Sequence, residues 1–286
     1  MAMRNLKNWI KKKINWESLP SNKRWLIKFR LFNVLTLVLN FFPFSLTSLC
    51  IFFGSDKWGS HFYTPVYENI FRHFRLKKIN FLEIGVGGYE DPYLGGESIF
   101  LWRAYFPFAK LFFIDIVDKT HFSSGRIKVL QGSQDDAEFL RNMAYEAKKF
   151  DIIIDDGSHI NHHQIKSFET LFPFLSDGGI YVIEDTQTSY WPSYGGGTKT
   201  KEYKNSCMYY FLNLADELNY GEYLDEKNLP NEFNKKITEI HFHHNLIVVI
   251  KGNNNQVSTT KRYSVLELRK LMAFLPDGKN QLETSN

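Results

Sequence analysis

Between residues 81 and 183, short apolar runs alternate with longer helix-length stretches, and this rhythm constrains the fold more than any other feature. The runs at 81–84, 111–115, 127–130, 151–154 and 180–183 have strand length. Helices are predicted near 96–105, 136–148, 161–174 and 206–219, with another around 65–74. Strands alternating with helices give an α/β fold with a doubly wound, mostly parallel sheet. The last two runs, Ile237 to Phe242 and Asn245 to Lys251, are separated only by His243-His244 and predict an antiparallel hairpin at the sheet edge.

Two of the strands end in acid. Asp155-Asp156-Gly157-Ser158-His159 follows one and Glu184-Asp185 follows the other. If these strands are parallel neighbours, about 4.8 Å apart, their carboxyl ends bring four carboxylates and an imidazole to a single crevice. Such a cluster stays ionised only beside a counter-cation, and a divalent metal is the simplest one. The plainer reading has Asp155, Asp156 and His159 capping the next helix with Ser158 as partner. Capping needs one such residue, and it leaves Glu184 and Asp185 unexplained.

Phe81-Leu82-Glu83-Ile84-Gly85-Val86-Gly87-Gly88 is a strand entering a glycine turn, and the next run closes on Asp115. That is the layout for a nucleotide-type ligand over the first strand with its ribose held by the second acid. Glu90 stands where a dinucleotide fingerprint needs its last glycine, and no triphosphate-binding G-x-x-x-x-G-K-[ST] loop is present. Glu83, two residues before the first glycine, suits a ligand with a cationic amino-acid end, such as S-adenosylmethionine. The plainer readings make Asp115 a strand-end turn residue and Glu83 a helix cap acting through water.

At 286 residues the chain can bury a full core. Its net charge of +4 is concentrated in the first thirty residues, so the central region carries no basic stripe and a nucleic-acid role is not expected. Cys50 and Cys207 fit no metal or redox spacing, and a reducing cytoplasm is the expected home. Leu31 to Phe53 lacks charge and follows a basic segment, as membrane spans do, but Asn33, Asn40 and Pro43 interrupt it. Buried helices, or a segment resting on the inner-membrane surface, fit better. The expected organisation is a basic then apolar, helical N-terminal extension (1–54), a catalytic domain (55–252) and a polar C-terminal tail (253–286) with one short helix near 265–274.

Three segments carry a family resemblance: Leu82 to Tyr89, Ile153 to His159 and Val182 to Trp191. Together they resemble the macrocin and mycinamicin sugar O-methyltransferases, which are class I, metal-dependent enzymes with a Rossmann-like fold. Gly54-Ser55-Asp56-Lys57-Trp58-Gly59 is similar to a lead-in of that group. The resemblance implies Mg²⁺ on Asp156, Glu184 and Asp185, with His159 as general base. It implies S-adenosylmethionine against Glu83, Gly85, Asp115, Ser133 and Gln134. Gly87, Asp155 and Tyr63 are placed in the same cofactor set, and a homo-oligomer is expected. For Ser133 and Gln134 a turn role competes with adenine contact, and Lys57, His61 and Tyr63 either close over a ligand or pack beneath the sheet.

The chemistry expected is transfer of a methyl group to a sugar hydroxyl of a glycan or glycosylated metabolite. An imidazole, whose intrinsic pKa is about 6.5, suits removal of the hydroxyl proton. Tyr190, Trp191 and Tyr194, beside Gly195-Gly196-Gly197, read as an acceptor lid on a glycine hinge, or as a plain surface loop. His162 and His163 read as solvated, and His241 with His243 as a half-buried pair on one strand face. Two rival functions are a metal-dependent glycosyltransferase, disfavoured by Glu83, and a membrane-associated scaffold without catalysis, disfavoured by the intact acid and histidine set.

Overall fold

The computed structural model describes residues 18–39, 44–198, 201–223, 231, 233–255, 267 and 269–270. Its centre is a seven-stranded sheet of β1 (Asn80–Ile84), β2 (Lys110–Asp115), β3 (Ile127–Gln131), β4 (Phe150–Asp155), β5 (Leu175–Glu184), β6 (Ile237–His243) and β7 (Leu246–Lys251). The order is β3-β2-β1-β4-β5-β7-β6. β3, β2, β1, β4 and β5 run parallel, while β7 runs antiparallel to β5, and β6 to β7. The helices are α1 (Ser21–Leu39), α2 (Leu46–Phe53), α3 (Thr64–Phe71), α4 (Glu97–Tyr105), α5 (Ala137–Ala147), α6 (Asn161–Leu171) and α7 (Cys207–Asp216). The expected mostly parallel sheet with a terminal hairpin is what forms.

Register decides what meets at the sheet's carboxyl edge. Ile84 pairs with Ile114 on one side and with Asp155 on the other, and Asp155 pairs with Ile183. The residues that follow, Gly85, Asp115, Asp156 and Glu184, therefore leave the sheet nearly abreast. Strand order reverses between β1 and β4, the place where open α/β sheets open a ligand crevice.

Period-two alternation divides the core into two layers. Phe81, Phe113, Ile152, Ile154, Val182 and Val248 face an aromatic layer in which Phe32, Leu49, Phe53, Phe100 and Trp102 are buried. Leu82, Ile114, Ile153, Tyr181, Ile183 and Ile247 face the opposite layer with Leu140, Phe168 and Phe211. Each fully buried side chain of this size contributes roughly 1.5–3 kcal/mol.

Local signals set the element ends. The Ser45 hydroxyl accepts from Ser48 N to start α2, and Gly54, at φ 81°, ends it by donating to Cys50 O. Asp136 caps α5 by accepting from Glu138 N and Phe139 N. α2 packs on α4, and the core runs on through its Leu46, Leu49, Cys50, Phe52 and Phe53, while Val34 and Ile51 stay exposed. Among the described residues no helix is long and apolar enough to cross a membrane.

Several boundaries differ from expectation. β5 starts at Leu175, five residues early, because Gly178 (φ 76°) and a register shift opposite Phe150 let an irregular polar segment join the strand. The predicted 206–219 helix ends at Asp216 and continues as a 3₁₀ segment, Glu217–Glu222. The hairpin turn falls at His244-Asn245, where Asn245 takes the left-handed conformation (φ 59°). Most of the tail, including most of the helix expected near 265–274, lies outside the described residues.

Candidate active site

Parity along the strands sorts the acids. Glu83 shares a face with Phe81, and Glu184 with Val182, so both point into the aromatic layer. Asp155 follows Ile153 onto the opposite face. Asp156 and Asp185 lie just past the strand ends and remain partly open to the crevice.

Lys57 reaches this acid set from the segment between α2 and α3. Its ammonium donates to Asp156 Oδ2 at 2.7 Å and Glu184 Oε1 at 2.6 Å, and pairs with Glu83 Oε1 at 3.1 Å. Lys57 is 1% exposed. Burial alone would lower its pKa, but Asp156, Glu184 and Glu83 together hold it well above the ordinary lysine value. The chain thus supplies part of the counter-charge that the acid cluster demands. Lys57 thus stands among the strand-end acids at the carboxyl edge of the sheet rather than beneath it.

Glu83 has no exposed surface, and Ser98 Oγ, Trp102 Nε1 and Lys57 all meet its carboxylate. Burial raises its pKa. In this conformation it faces Lys57 rather than the crevice. Tyr67 Oη donates to Glu184 Oε1 at 2.5 Å. No local pattern singles out Tyr67, because one tyrosine in an aromatic-rich chain is unremarked until α3 is docked.

Asp156, His159 and Asp185 form the open half of the site. One ligand atom from each can lie within 4.8 Å of the others. His159 Nε2 is 3.5 Å from Asp185 Oδ2, and the buried Nδ1 has no hydrogen-bond partner. His61 Nδ1 lies 3.3 Å from Asp185 Oδ1, and Tyr63 Oη donates to that oxygen at 2.7 Å and to Asn245 O at 3.1 Å. Burial raises the Tyr63 pKa, so its hydroxyl stays a donor. This donor set suits a hard divalent cation, and the unpartnered His159 nitrogen marks a pocket built for a further group. The expected metal trio is divided, however: Glu184 groups with Glu83 and Asp156 around Lys57, while Asp185 groups with Asp156 and His159. Asp156 belongs to both.

Asp115, at the end of β2, accepts from Val86 N and Val117 N at 2.9 Å each and so fixes the glycine turn beside it. Gly85 has φ 93°, and a Cβ there would lie 2.0 Å from Asp156 O, so only glycine lets the two turns approach. Gly87, at φ 75°, meets no close neighbour. The fully buried Lys119, absent from the sequence expectations, donates to Gly87 O, to Leu94 O at 2.7 Å and to Asp91 O at 3.2 Å, clamping the loop after β1.

Two residues expected against the cofactor turn inward. Asp155 is fully buried, accepts from Gln134 Nε2 at 3.1 and 3.2 Å and from Ser167 Oγ, and has its pKa pushed up to about 6 by burial. Gln134 Oε1 accepts from Ser158 N at 2.6 Å, so Gln134 ties the loop after β3 to the turn after β4. Strand parity is the reason: consecutive residues Asp155 and Asp156 take opposite faces. Ser133 Oγ accepts from Asp135 N, which is its turn role.

Tyr190 and Trp191 are 41% and 47% exposed, with Tyr194 half-buried 5.8 Å from Trp191 between ring centroids. Their segment is not a free hinge. Asn161 Nδ2 donates to Thr188 O and Tyr194 O, and Gly197 N donates to Ser189 O. A Cβ on Gly196 would lie 2.3 Å from Ser189 O, so that glycine serves close backbone approach. Among the other histidines, His163 Nδ1 meets Ser158 Oγ at 2.8 Å, and His241 Nε2 meets Glu239 Oε2 at 2.8 Å.

The sheet order, its antiparallel edge and the acid-lined crevice at the switch point define a class I methyltransferase fold. No protein-family model matches the chain. It is 42% identical over 216 residues to the 8-demethyl-8-(2-methoxy-alpha-L-rhamnosyl)-tetracenomycin-C 3'-O-methyltransferase of Streptomyces olivaceus, covering 75% of this chain and 55% of that protein. It is 40% identical over 213 residues to the mycinamicin VI 2''-O-methyltransferase of Micromonospora griseorubida, covering 74% and 53%. Among solved structures it is similar to MycE methyltransferase from the mycinamycin biosynthetic pathway, in complex with Mg and SAH, with a TM-score of 0.73 and 38% identity over 80% of this chain and 59% of that one. Over about three quarters of its length the chain is thus similar to macrocin- and mycinamicin-type sugar O-methyltransferases. It spans about half the length of the curated relatives it matches.

Proposed function

We propose that the protein is a Mg²⁺- and S-adenosylmethionine-dependent O-methyltransferase acting on a sugar hydroxyl of a glycan or glycosylated metabolite. The observation that carries this reading is the pocket of Asp156, His159 and Asp185 at the switch point, abreast of the glycine turn and Asp115. The sugar O-methyltransferase activities of the relatives and the Mg and SAH bound by MycE support it.

Asp156 and Asp185 would hold the ion, with Glu184 behind them. A divalent ion there supplies Lewis acidity that lowers the pKa of a nearby hydroxyl. The glycine turn and Asp115 would hold S-adenosylmethionine, which would supply a methyl group that is already activated. What remains for the chain is to orient the acceptor and take its proton. His159 Nε2 takes the proton, and the Asp185 carboxylate 3.5 Å away stabilises the imidazolium. Tyr190 and Trp191 offer exposed ring faces on which a sugar can stack.

Calorimetric titration of S-adenosylmethionine into the full chain, beside Asp115→Ala, tests the cofactor assignment. Micromolar binding that disappears in the variant is the expected result. A folded wild type that binds none would overturn the reading and turn the search to sugar nucleotides.

The reading extends to a cytoplasmic enzyme, a homo-oligomer, resting at the inner-membrane surface. Lys23, Leu26, Arg30 and Val34 are exposed along α1 at spacings that share one helix face, which supports contact with an anionic lipid surface. Co-sedimentation with anionic vesicles and light scattering test these points; a monomer that stays in the supernatant would remove both.

A further inference from the structure

The acid set contains two cation pockets that share Asp156. One is Asp156, His159 and Asp185; the other is Glu83, Asp156 and Glu184, whose ligand atoms also lie within 4.8 Å of one another. The second is already filled. Lys57 Nζ stands 2.6 to 3.1 Å from an oxygen of each of its three carboxylates, and Tyr67 Oη completes the enclosure through Glu184. Glu83 and Glu184 are 0% and 2% exposed, so water supplies little of the balancing charge there.

We propose that Lys57 is a permanently resident cation of the active site, filling a three-carboxylate pocket that would otherwise take a second divalent ion and leaving the cleft one open metal pocket. Lys57 is then a positioning residue. It holds Asp156, the residue common to both pockets, by Oδ2, and it fixes Glu184 and Glu83 against mutual repulsion. The same segment steadies the other pocket, because His61 and Tyr63 both meet Asp185 Oδ1. Residues 57 to 63 thus set the charge and the shape of both halves. A lysine ammonium does this where a second metal would not, since it is tethered and needs no recruitment from solution.

This inference rests on the metal reading above, and Mn²⁺ binding to the full chain, counted by electron paramagnetic resonance, separates the two. The expected counts in the cleft are one Mn²⁺ for wild type, two for Lys57→Met, one for Lys57→Arg, and one for Lys57→Met combined with Asp185→Asn. In Lys57→Met the two ions share Asp156 and give a spin-coupled signal that wild type lacks, a signature that loss of packing alone would not produce. One uncoupled ion in both wild type and Lys57→Met overturns the inference and spares the metal reading. No ion in folded wild type overturns both. If Lys57→Met does not fold, Lys57→Gln combined with Glu83→Gln removes one charge of each sign. It is expected to take a second, weaker Mn²⁺, and its failure to do so overturns the inference equally.

Discussion

His159 and Asp185 both hold left-handed backbones, each at φ 55°, and their side chains meet with Nε2 3.5 Å from Oδ2. Left-handed conformation costs a non-glycine residue of this kind roughly 1–2 kcal/mol, and here it occurs twice in one pocket. The turns after β4 and β5 hold this strain because hydrogen bonds brace both. Gln134 grips the first through Ser158 N, and Tyr63 grips Asp185 itself. The strain aims the imidazole Nε2 at the Asp185 carboxylate.

His159→Ala removes that imidazole and leaves Asp115, the glycine turn and Lys57 untouched. Turnover should fall about 10²–10⁴-fold with cofactor affinity within a few-fold of wild type. Initial rates and a parallel calorimetric titration measure both, and equal loss of the two would remove the general-base role.

Gly85→Ala asks the turn after β1 to accept a Cβ 2.0 Å from Asp156 O at φ 93°. The obstacle is backbone of the turn after β4, so neither side can give without moving Asp156. A destabilisation of about 2–4 kcal/mol is expected in urea unfolding. Gly125→Ala, at φ 58° but with open space around it, should cost less.

Asp155 gives the protein a pH signature. The native state keeps its proton to about pH 6, whereas the unfolded chain releases it near pH 4. The native state therefore binds more protons between those values, and stability falls as pH rises through that window. The deficit, ~3 kcal/mol, is complete above about pH 6. Asp155→Asn carries no such charge, so its stability relative to wild type should rise from pH 4 to pH 6 and then level off. Urea midpoints across that range check it, and a flat difference would show that Asp155 is ionised throughout.

Trp191 is half-exposed and anchored through its backbone and the neighbouring Tyr194 ring. Trp191→Ala should leave the melting temperature within a degree or two. The acceptor KM should rise about tenfold with little change in kcat, as for loss of a stacking face. An unchanged KM would return the 186–197 segment to a structural role.

The strand rhythm determined the sheet, and the acids at its strand ends located the crevice. Both are local signals: hydrophobic runs fix which segments are strands, and parallel pairing aligns their carboxyl ends wherever they lie in sequence. Asp115, Asp156 and Asp185 were legible for that reason, as was His159 one turn beyond its strand. The apolar stretch from Leu31 to Phe53 was ambiguous, because composition alone does not distinguish burial against a sheet from burial in lipid.

Facing and partnership were decided by tertiary structure. Asp155 and Asp156 are adjacent in sequence, yet parity sends one into the core and the other to the crevice, and a single residue of register sets which. Lys57 and Glu184 are 127 residues apart, and no local pattern announces that one neutralises the other. The sequence by itself determined that this chain gathers carboxylates at one sheet edge and must balance them. Only the folded structure decided that a lysine answers part of that demand, because the cost of burying charge is settled by which side chains share the same few ångströms.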